Sequence, residues 1–97
     1  MSDEYPIQFE EDARSGRYFI SLPDQTEAEM TFRKLGGDVI AIDHTFVPPQ
    51  FRGASLASKL VERGIADARQ NGLKVKPVCS YVVAQFRRHP DWSDLLA

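Results

Sequence analysis

The sequence predicts a single mixed α/β domain over residues 1–97, and three observations support that prediction. About two fifths of the 97 side chains (42%) are hydrophobic, which is enough for one core and too few for two. Four successive segments of the first half resemble strands: apolar and polar residues alternate in the first and third, as in half-buried strands, and the fourth is β-branched and apolar. One amphipathic helical segment follows. The expected order is therefore β, β, β, β, α, β, α.

The first four strands are separated by turn residues. Pro23-Asp24 stops the second strand, Gly36-Gly37-Asp38 predicts a tight hairpin, and Pro48-Pro49 ends the fourth strand because proline donates no ladder hydrogen bond. In the third strand, the residues expected to face the core are Ala28, Met30, Phe32 and Leu35. The predicted strands cover residues 5–10, 17–22, 27–35 and 39–47.

The helix is predicted from near Ser55 to Asn71-Gly72, a pair suited to the left-handed conformation that closes helices. Its apolar stripe comprises Ala57, Leu60, Val61, Ile65 and Ala68.

A fifth strand is predicted over residues 74–82. Pro77 within it indicates an edge or a place where two strands splay apart, because proline removes a backbone donor. Cys79 and Tyr81 are two residues apart and are expected on one face of that strand. Residues 83–96 predict one or two short helices that pack Phe86, Trp92, Leu95 and Leu96.

Composition excludes several classes of protein. The longest aliphatic runs fall far short of the roughly 20 residues that span a bilayer, so no membrane association is expected. The acidic amino terminus lacks the features of a secretory signal, and one cysteine forms no internal disulfide, which favours a cytoplasmic location. Two histidines, one cysteine and no ligand-like spacing predict no metal site.

Charge is divided unevenly along the chain. Residues 1–51 carry four basic and ten acidic side chains, a net charge of −6, whereas residues 52–97 carry eight and four, a net charge of +4. The second half therefore favours an anionic ligand, although small domains also carry uneven charge without any partner. A pI near 5.6 argues against nucleic-acid binding.

The strand-to-helix junction at residues 47–57 is the most informative segment. A short turn of glycine and small residues that opens a helix directs free backbone N–H groups outward, where the helix dipole is positive and attracts phosphate. The segment lacks the Gly-Lys-Ser/Thr ending of a P-loop and the glycines of the Rossmann fingerprint. A generic connection without a ligand remains the alternative.

The motif Gln50-Phe51-Arg52-Gly53-Ala54-Ser55-Leu56-Ala57 resembles the Gln/Arg-x-x-Gly-x-Gly/Ala pyrophosphate loop of the GNAT acetyltransferase superfamily. Ser55 stands where the second glycine or alanine is usual. Residues 17–97 also resemble a minimal branch of that superfamily, through His44-Thr45-Phe46-Val47 and Pro77-Val78-Cys79-Ser80-Tyr81-Val82. Phe46 stands where that branch has glutamate.

The resemblance implies a GNAT-like, mostly antiparallel sheet whose fourth and fifth strands splay apart to hold the arm of acetyl-CoA. Basic side chains of the second half, namely Arg52, Lys59, Arg87 and Arg88, are expected to face the CoA phosphates. The implied acetyl-CoA-binding residues are Phe46, Val47, Gln50, Phe51, Arg52, Gly53, Ala54, Ser55, Leu56 and Ala57.

The resemblance also implies N-acetyl transfer to a small-molecule or peptide amine. Cys79 is the implied acetyl acceptor, although direct attack of the amine on bound acetyl-CoA stays open. From their places on adjacent strands, we expect His44 to lower the thiol pKa and Tyr81 to protonate the leaving CoA thiolate. From the residues alone, a packing role is favoured for Cys79 and is as compatible as a catalytic one for His44 and Tyr81. Two further functions stay open: a non-catalytic CoA or acyl-CoA-binding module, and a structural domain without a ligand. Oligomeric state is also open.

Overall fold

The computed structural model describes residues 5–53 and 55–97. Its five-stranded sheet has the order β1-β2-β3-β4-β5. The strands are β1 (Gln8–Glu11), β2 (Ser15–Ser21), β3 (Glu27–Gly36), β4 (Val39–Phe46) and β5 (Lys74–Pro77). The helices are α1 (Leu56–Asn71) and α2 (Ser80–Arg88), with short 3-10 helices at Pro49–Phe51 and Pro90–Leu95. The predicted mixed, mostly antiparallel α/β fold is confirmed.

The first four strands form antiparallel hairpins, and α1 then connects β4 to β5, which run parallel. Gly36, Gly37 and Asp38 all have positive φ, which closes the tight β3–β4 turn as predicted. Gly72 ends α1 in the left-handed conformation, and its N–H bonds to the carbonyls of Ala68 and Arg69.

One face of the sheet packs against the helices. Within β3, Ala28, Met30 and Phe32 are buried, whereas the intervening residues remain partly accessible, so the predicted alternation is confirmed there. The apolar stripe of α1 covers this face through Leu56, Leu60, Val61, Ile65 and Ala68. The opposite face of the sheet carries mainly polar and charged side chains.

Two predicted core residues and one strand boundary were wrong. Leu35 is 48% exposed, since it lies at the far end of β3 beyond the reach of the helices, and Leu96 is 43% exposed after the last 3-10 helix. The first strand begins at Gln8 rather than at residue 5, and all four of its residues are exposed, which explains why its apolar pattern was a weak guide.

The predicted fifth strand over residues 74–82 is also too long. β5 ends at Pro77, and α2 begins at Ser80. Tyr81 is therefore a helical residue and does not share a strand face with Cys79. The prediction failed because Pro77 lacks the donor that would extend the ladder, and because Val82 and Val83 fit a strand pattern as readily as a helical one.

The break at Pro77 parts the two strands. Pairing between β4 and β5 covers Val39–Ile42 and Lys74–Pro77, while β4 itself continues to Phe46. The backbone N–H groups of Val78 and Cys79 both bond to the Ile42 carbonyl, so the chain turns there instead of following β4. The described part of the chain contains no helix long and apolar enough to cross a membrane.

Candidate functional site

A cavity of about 550 Å³ opens where β4 and β5 part. The end of β4 and the loop after it form one wall, the first turn of α1 forms another, and α2 closes the third. Most of the predicted acetyl-CoA-binding residues line it: Phe46, Val47, Phe51, Arg52, Gly53, Ser55, Leu56 and Ala57. The strand-to-helix junction at residues 47–57, which was predicted to bind a ligand, therefore lies beside a cavity.

The first turn of α1 presents donors to this cavity. Its N-cap, Ser55, makes no side-chain capping bond, and the turn contains no acidic residue. At the start of α1, the Lys59 N–H donates a hydrogen bond to the Ser55 carbonyl at 3.1 Å. The residues of this first turn, Ser55 to Ser58, line the cavity, so the positive end of the α1 dipole lies beside it. That arrangement suits a phosphate group.

Two arginines from different elements line the cavity. Arg52 Nε donates to the Val47 carbonyl at 3.0 Å, which fixes the guanidinium beside the loop. Arg88 extends from the last turn of α2 and also lines the cavity. Both suit a diphosphate or a phosphomonoester. Lys59 and Arg87, which were also expected to face phosphates, are not among the described residues that line it.

Cys79 is the N-cap residue of α2, and its side chain contacts the end of β4. Its Sγ lies 3.2 Å from Thr45 Oγ1. Partial burial raises the pKa of the Cys79 thiol, but the Thr45 hydroxyl and the nearby backbone N–H groups of Val82, Tyr81 and Thr45 favour the thiolate and more than offset this effect, so the pKa is lowered overall. The thiol is therefore set up to ionise more readily than an ordinary cysteine.

His44 does not approach Cys79. In the β3–β4 register, Thr45 pairs with the buried Met30, whereas His44 pairs with Thr31. Neighbouring residues of a strand point to opposite faces, so His44 lies on the exposed side of the sheet, where its Nε2 is 3.9 Å from Glu29 Oε2. The expectation that His44 would be the neighbour of the thiol is corrected: Thr45 has that position.

Tyr81 lies in the first turn of α2 and lines the cavity. Burial is the main cause that raises the pKa of its hydroxyl; Glu62 raises it further, and Arg88 opposes the change. The hydroxyl therefore keeps its proton at neutral pH, which a proton donor requires.

Cys79 and Gln50 are not among the described residues that line the cavity. Gln50 is exposed, and its side-chain amide donates to Asp24 Oδ2 instead of lining the cavity. Ala54 lies outside the described residues, so its predicted role stays a prediction.

Four further residues line the cavity without belonging to the predicted site: Thr45, Ser58, Gln85 and Arg88. Arg88 was expected only as a charge near the phosphates. Gln85 was missed because residues 74–82 were predicted to be a strand, which hid the start of α2. Once α2 is recognised, the spacing of Tyr81, Gln85 and Arg88, at i, i+4 and i+7, places them on one helix face. Among the described residues, no group of three or more His, Cys, Asp or Glu side chains is placed to hold a metal ion.

Comparison with known proteins agrees with this geometry. The profile of the family described as GCN5-related N-acetyl-transferase matches residues 17–95, and the chain belongs to that family. It is 24% identical over 86 residues to Protein NATD1 from Gallus gallus and to Protein NATD1 from Homo sapiens. Each alignment covers 88% of this chain, with 78% of the Gallus gallus protein and 76% of the Homo sapiens protein.

A solved structure extends the comparison to the fold. The NMR solution structure of a GCN5-like protein from Staphylococcus aureus is similar to this one with a TM-score of 0.66 and 22% sequence identity, over 93% of this chain and 87% of that one. The GNAT-like fold that the sequence motifs implied is confirmed.

Proposed function

We propose that this protein is an acetyl-CoA-dependent N-acetyltransferase that acts on a small-molecule or peptide amine in the cytoplasm. The observation that carries the proposal is the cavity between the parted strands: the N-terminus of α1, where Ser55 makes no side-chain cap, and two arginines line it, and Thr45, the contact of the Cys79 thiol, lies on its wall. An anionic thioester with a long arm matches both features at once.

The phosphates of acetyl-CoA bind the first-turn N–H groups of α1 together with Arg52 and Arg88. The arm follows the edge of β4 at Phe46 and Val47, beyond the point where β5 ends, and Ser55, Leu56 and Ala57 shape the turn. The acetyl thioester then lies toward Thr45, Cys79 and Tyr81.

Transfer proceeds in two steps. The Cys79 thiolate attacks the carbonyl carbon of the thioester; a new carbon–sulfur bond forms, the bond to the CoA sulfur breaks, and Tyr81 protonates the departing CoA thiolate. A neutral amine then attacks the acetylated Cys79, which leaves as thiolate, and the proton lost by the amine returns to the Tyr81 phenolate. Thr45 and the N-terminus of α2 stabilise the thiolate, and His44 has no part in forming it.

Binding is tested by thermal unfolding with acetyl-CoA. A ligand at about 100 times its dissociation constant adds roughly 2.7 kcal/mol to the free energy of unfolding, and pantetheine, which lacks the nucleotide phosphates, is expected to add much less. Equal stabilisation by the two compounds would contradict phosphate recognition. Absence of any effect of acetyl-CoA would refute the proposed function.

Chemistry is tested with labelled acetyl-CoA and a panel of amines. Wild-type protein is expected to release CoA and to carry the label on Cys79 when no amine is present. Cys79→Ser keeps the size of the side chain but has no ionisable thiol, so it should bind acetyl-CoA and lose labelling. A serine variant that still transfers acetyl groups at the wild-type rate would leave direct attack by the amine as the route.

One residue favours a second candidate, a module that binds acyl-CoA without turnover. Phe46 lines the cavity and is 42% exposed, where the minimal branch that this sequence resembles has a glutamate. Stable retention of acetyl-CoA, without CoA release and without label on Cys79 for any amine in the panel, would identify this function.

A further inference from the structure

Gln85 is a buried polar residue of the cavity wall. Only 7% of its surface is exposed. The hydrogen bonds of residues 5–53 and 55–97 leave its carboxamide without a partner. The amide is nevertheless not sealed inside the protein: every side-chain polar atom that is fully buried in those residues has a partner. The free amide therefore reaches the cavity that Gln85 lines.

A carboxamide held in a mostly buried side chain without a protein partner loses part of its hydration, and the full loss costs about 1–3 kcal/mol. Apolar side chains fill the equivalent positions of the core around it, such as Val82 and Phe86 on the same helix. A polar residue at this place is thus best explained by a ligand that supplies the missing hydrogen bonds.

The position of Gln85 on α2 indicates which part of a ligand it meets. Tyr81, Gln85 and Arg88 follow one another along one helix face, and four residues of helix rise by about 6 Å. Tyr81 marks the thioester end of the cavity, and Arg88 the end that suits phosphate. Gln85 lies between them, beside the middle of a bound acyl-CoA.

A carboxamide offers both a donor and an acceptor and carries no charge. Its best complement is a neutral group that also offers both, namely a secondary amide, and the arm of CoA contains two of these between its thiol and its phosphates. We propose that Gln85 binds an amide of the CoA arm and thereby sets the depth at which the thioester lies. The inference rests on the proposed function.

The test measures dissociation constants for three probes: acetyl-CoA, pantetheine, and adenosine 3′,5′-bisphosphate, which has phosphates but no amide. Gln85→Leu replaces the amide with an apolar group of similar size. It should weaken acetyl-CoA and pantetheine by about three- to tenfold, which is the loss of one hydrogen bond, and leave the bisphosphate unchanged. Unchanged binding of all three probes would overturn the inference.

Two arginines provide the matched control. Arg88→Gln should weaken acetyl-CoA and the bisphosphate but leave pantetheine unchanged, the opposite pattern to Gln85→Leu. Arg87→Gln, the same substitution one residue earlier, should leave all three constants unchanged, because Arg87 does not line the cavity. Loss of pantetheine binding in Arg88→Gln, equal to that in Gln85→Leu, would contradict the order of the ligand along α2.

Thermal unfolding without ligand separates binding from a structural role. If Gln85 serves the ligand, Gln85→Leu should leave the melting temperature equal or higher, since it removes an unpaired buried amide. A lower melting temperature together with equal weakening of all three probes would show that Gln85 is structural, and would overturn the inference. If wild-type protein fails to bind acetyl-CoA, the proposed function fails first, whatever Gln85 does.

Discussion

Ser55 adopts a backbone conformation that favours glycine. Its φ of 62° and ψ of 24° lie in the left-handed region, and it makes no side-chain bond that caps α1. A non-glycine residue there costs about 1–2 kcal/mol, because its Cβ crowds the following carbonyl oxygen. Ser55→Gly should therefore relieve strain at the turn that opens the cavity.

The expected gain is smaller than the strain, because glycine also gives the unfolded chain more freedom, at a cost of about 0.5–1 kcal/mol. The difference leaves about 0.5–1 kcal/mol of added stability. For a chain of this length, that corresponds to a rise in melting temperature of about 2–8 °C. Acetyl-CoA should bind at least as tightly, whereas the bulky Ser55→Leu should block it, because residue 55 lines the cavity.

Thermal unfolding followed by circular dichroism measures this effect, and Ser58→Gly is the matched control. Ser58 lies three residues further on, inside α1, where the same change costs about 0.5 kcal/mol of helix propensity. The two serine-to-glycine variants should thus shift the melting temperature in opposite directions. A fall in both would refute the assignment of strain to Ser55, and normal acetyl-CoA binding by Ser55→Leu would show that the pyrophosphate lies elsewhere.

Four other variants test three further features of the structure. Thr45→Val should raise the pH at which the Cys79 thiol reacts with iodoacetamide, because it removes a hydrogen bond that lowers the thiol pKa. His44→Gln should leave that pH unchanged. The reverse result would restore His44 as the neighbour of the thiol. Gly16→Ala should lower stability by about 1–3 kcal/mol in urea unfolding, because the added Cβ would lie 2.5 Å from a buried phenylalanine ring of β3, and an unchanged midpoint would contradict that packing. Burial, and then a hydrogen bond to a carboxylate of α1, raise the pKa of Tyr18, so the folded state keeps this proton more tightly than the unfolded chain does. The free energy of unfolding that this proton contributes is complete below the ordinary tyrosine pKa and is lost as pH rises above about 10. Tyr18→Phe should therefore be less stable than wild type at pH 7 and should lose less stability above pH 10. An equal loss of stability above pH 10 in both proteins would contradict the assignment to Tyr18.

The elements that the sequence predicted well are those with strong local signals. The helix from Ser55 to Gly72 has both an apolar stripe and a terminal glycine, and the hairpin at residues 36–38 has residues suited to positive φ. The cavity-lining junction followed from small residues placed before a helix. In these segments, local conformational preference and tertiary packing favour the same structure.

The parts that were mistaken depend on contacts between distant segments. Alternation at residues 78–82 fits a strand, and only the end of pairing at Pro77 decides that the chain turns into α2. The partner of Cys79 likewise depends on the β3–β4 register, in which a bulge between Thr31 and Phe32 determines whether Thr45 or His44 faces the helices. A one-residue change of register exchanges the two faces, and composition carries no information about it.

The proline that ends β5 links these features. Without an N–H group, Pro77 has no donor with which to extend the ladder, and the next two N–H groups turn back to the Ile42 carbonyl. This turn leaves the end of β4 unpaired by β5, which opens the cavity, and in the same step it starts α2 at Ser80, which places the Cys79 thiol at a helix N-terminus beside Thr45. The cavity and the lowered thiol pKa therefore have one structural cause. Since α2 also carries Tyr81, Gln85 and Arg88 on its cavity face, the direction in which this turn sends the helix sets the order of thiol, amide and cation along the site.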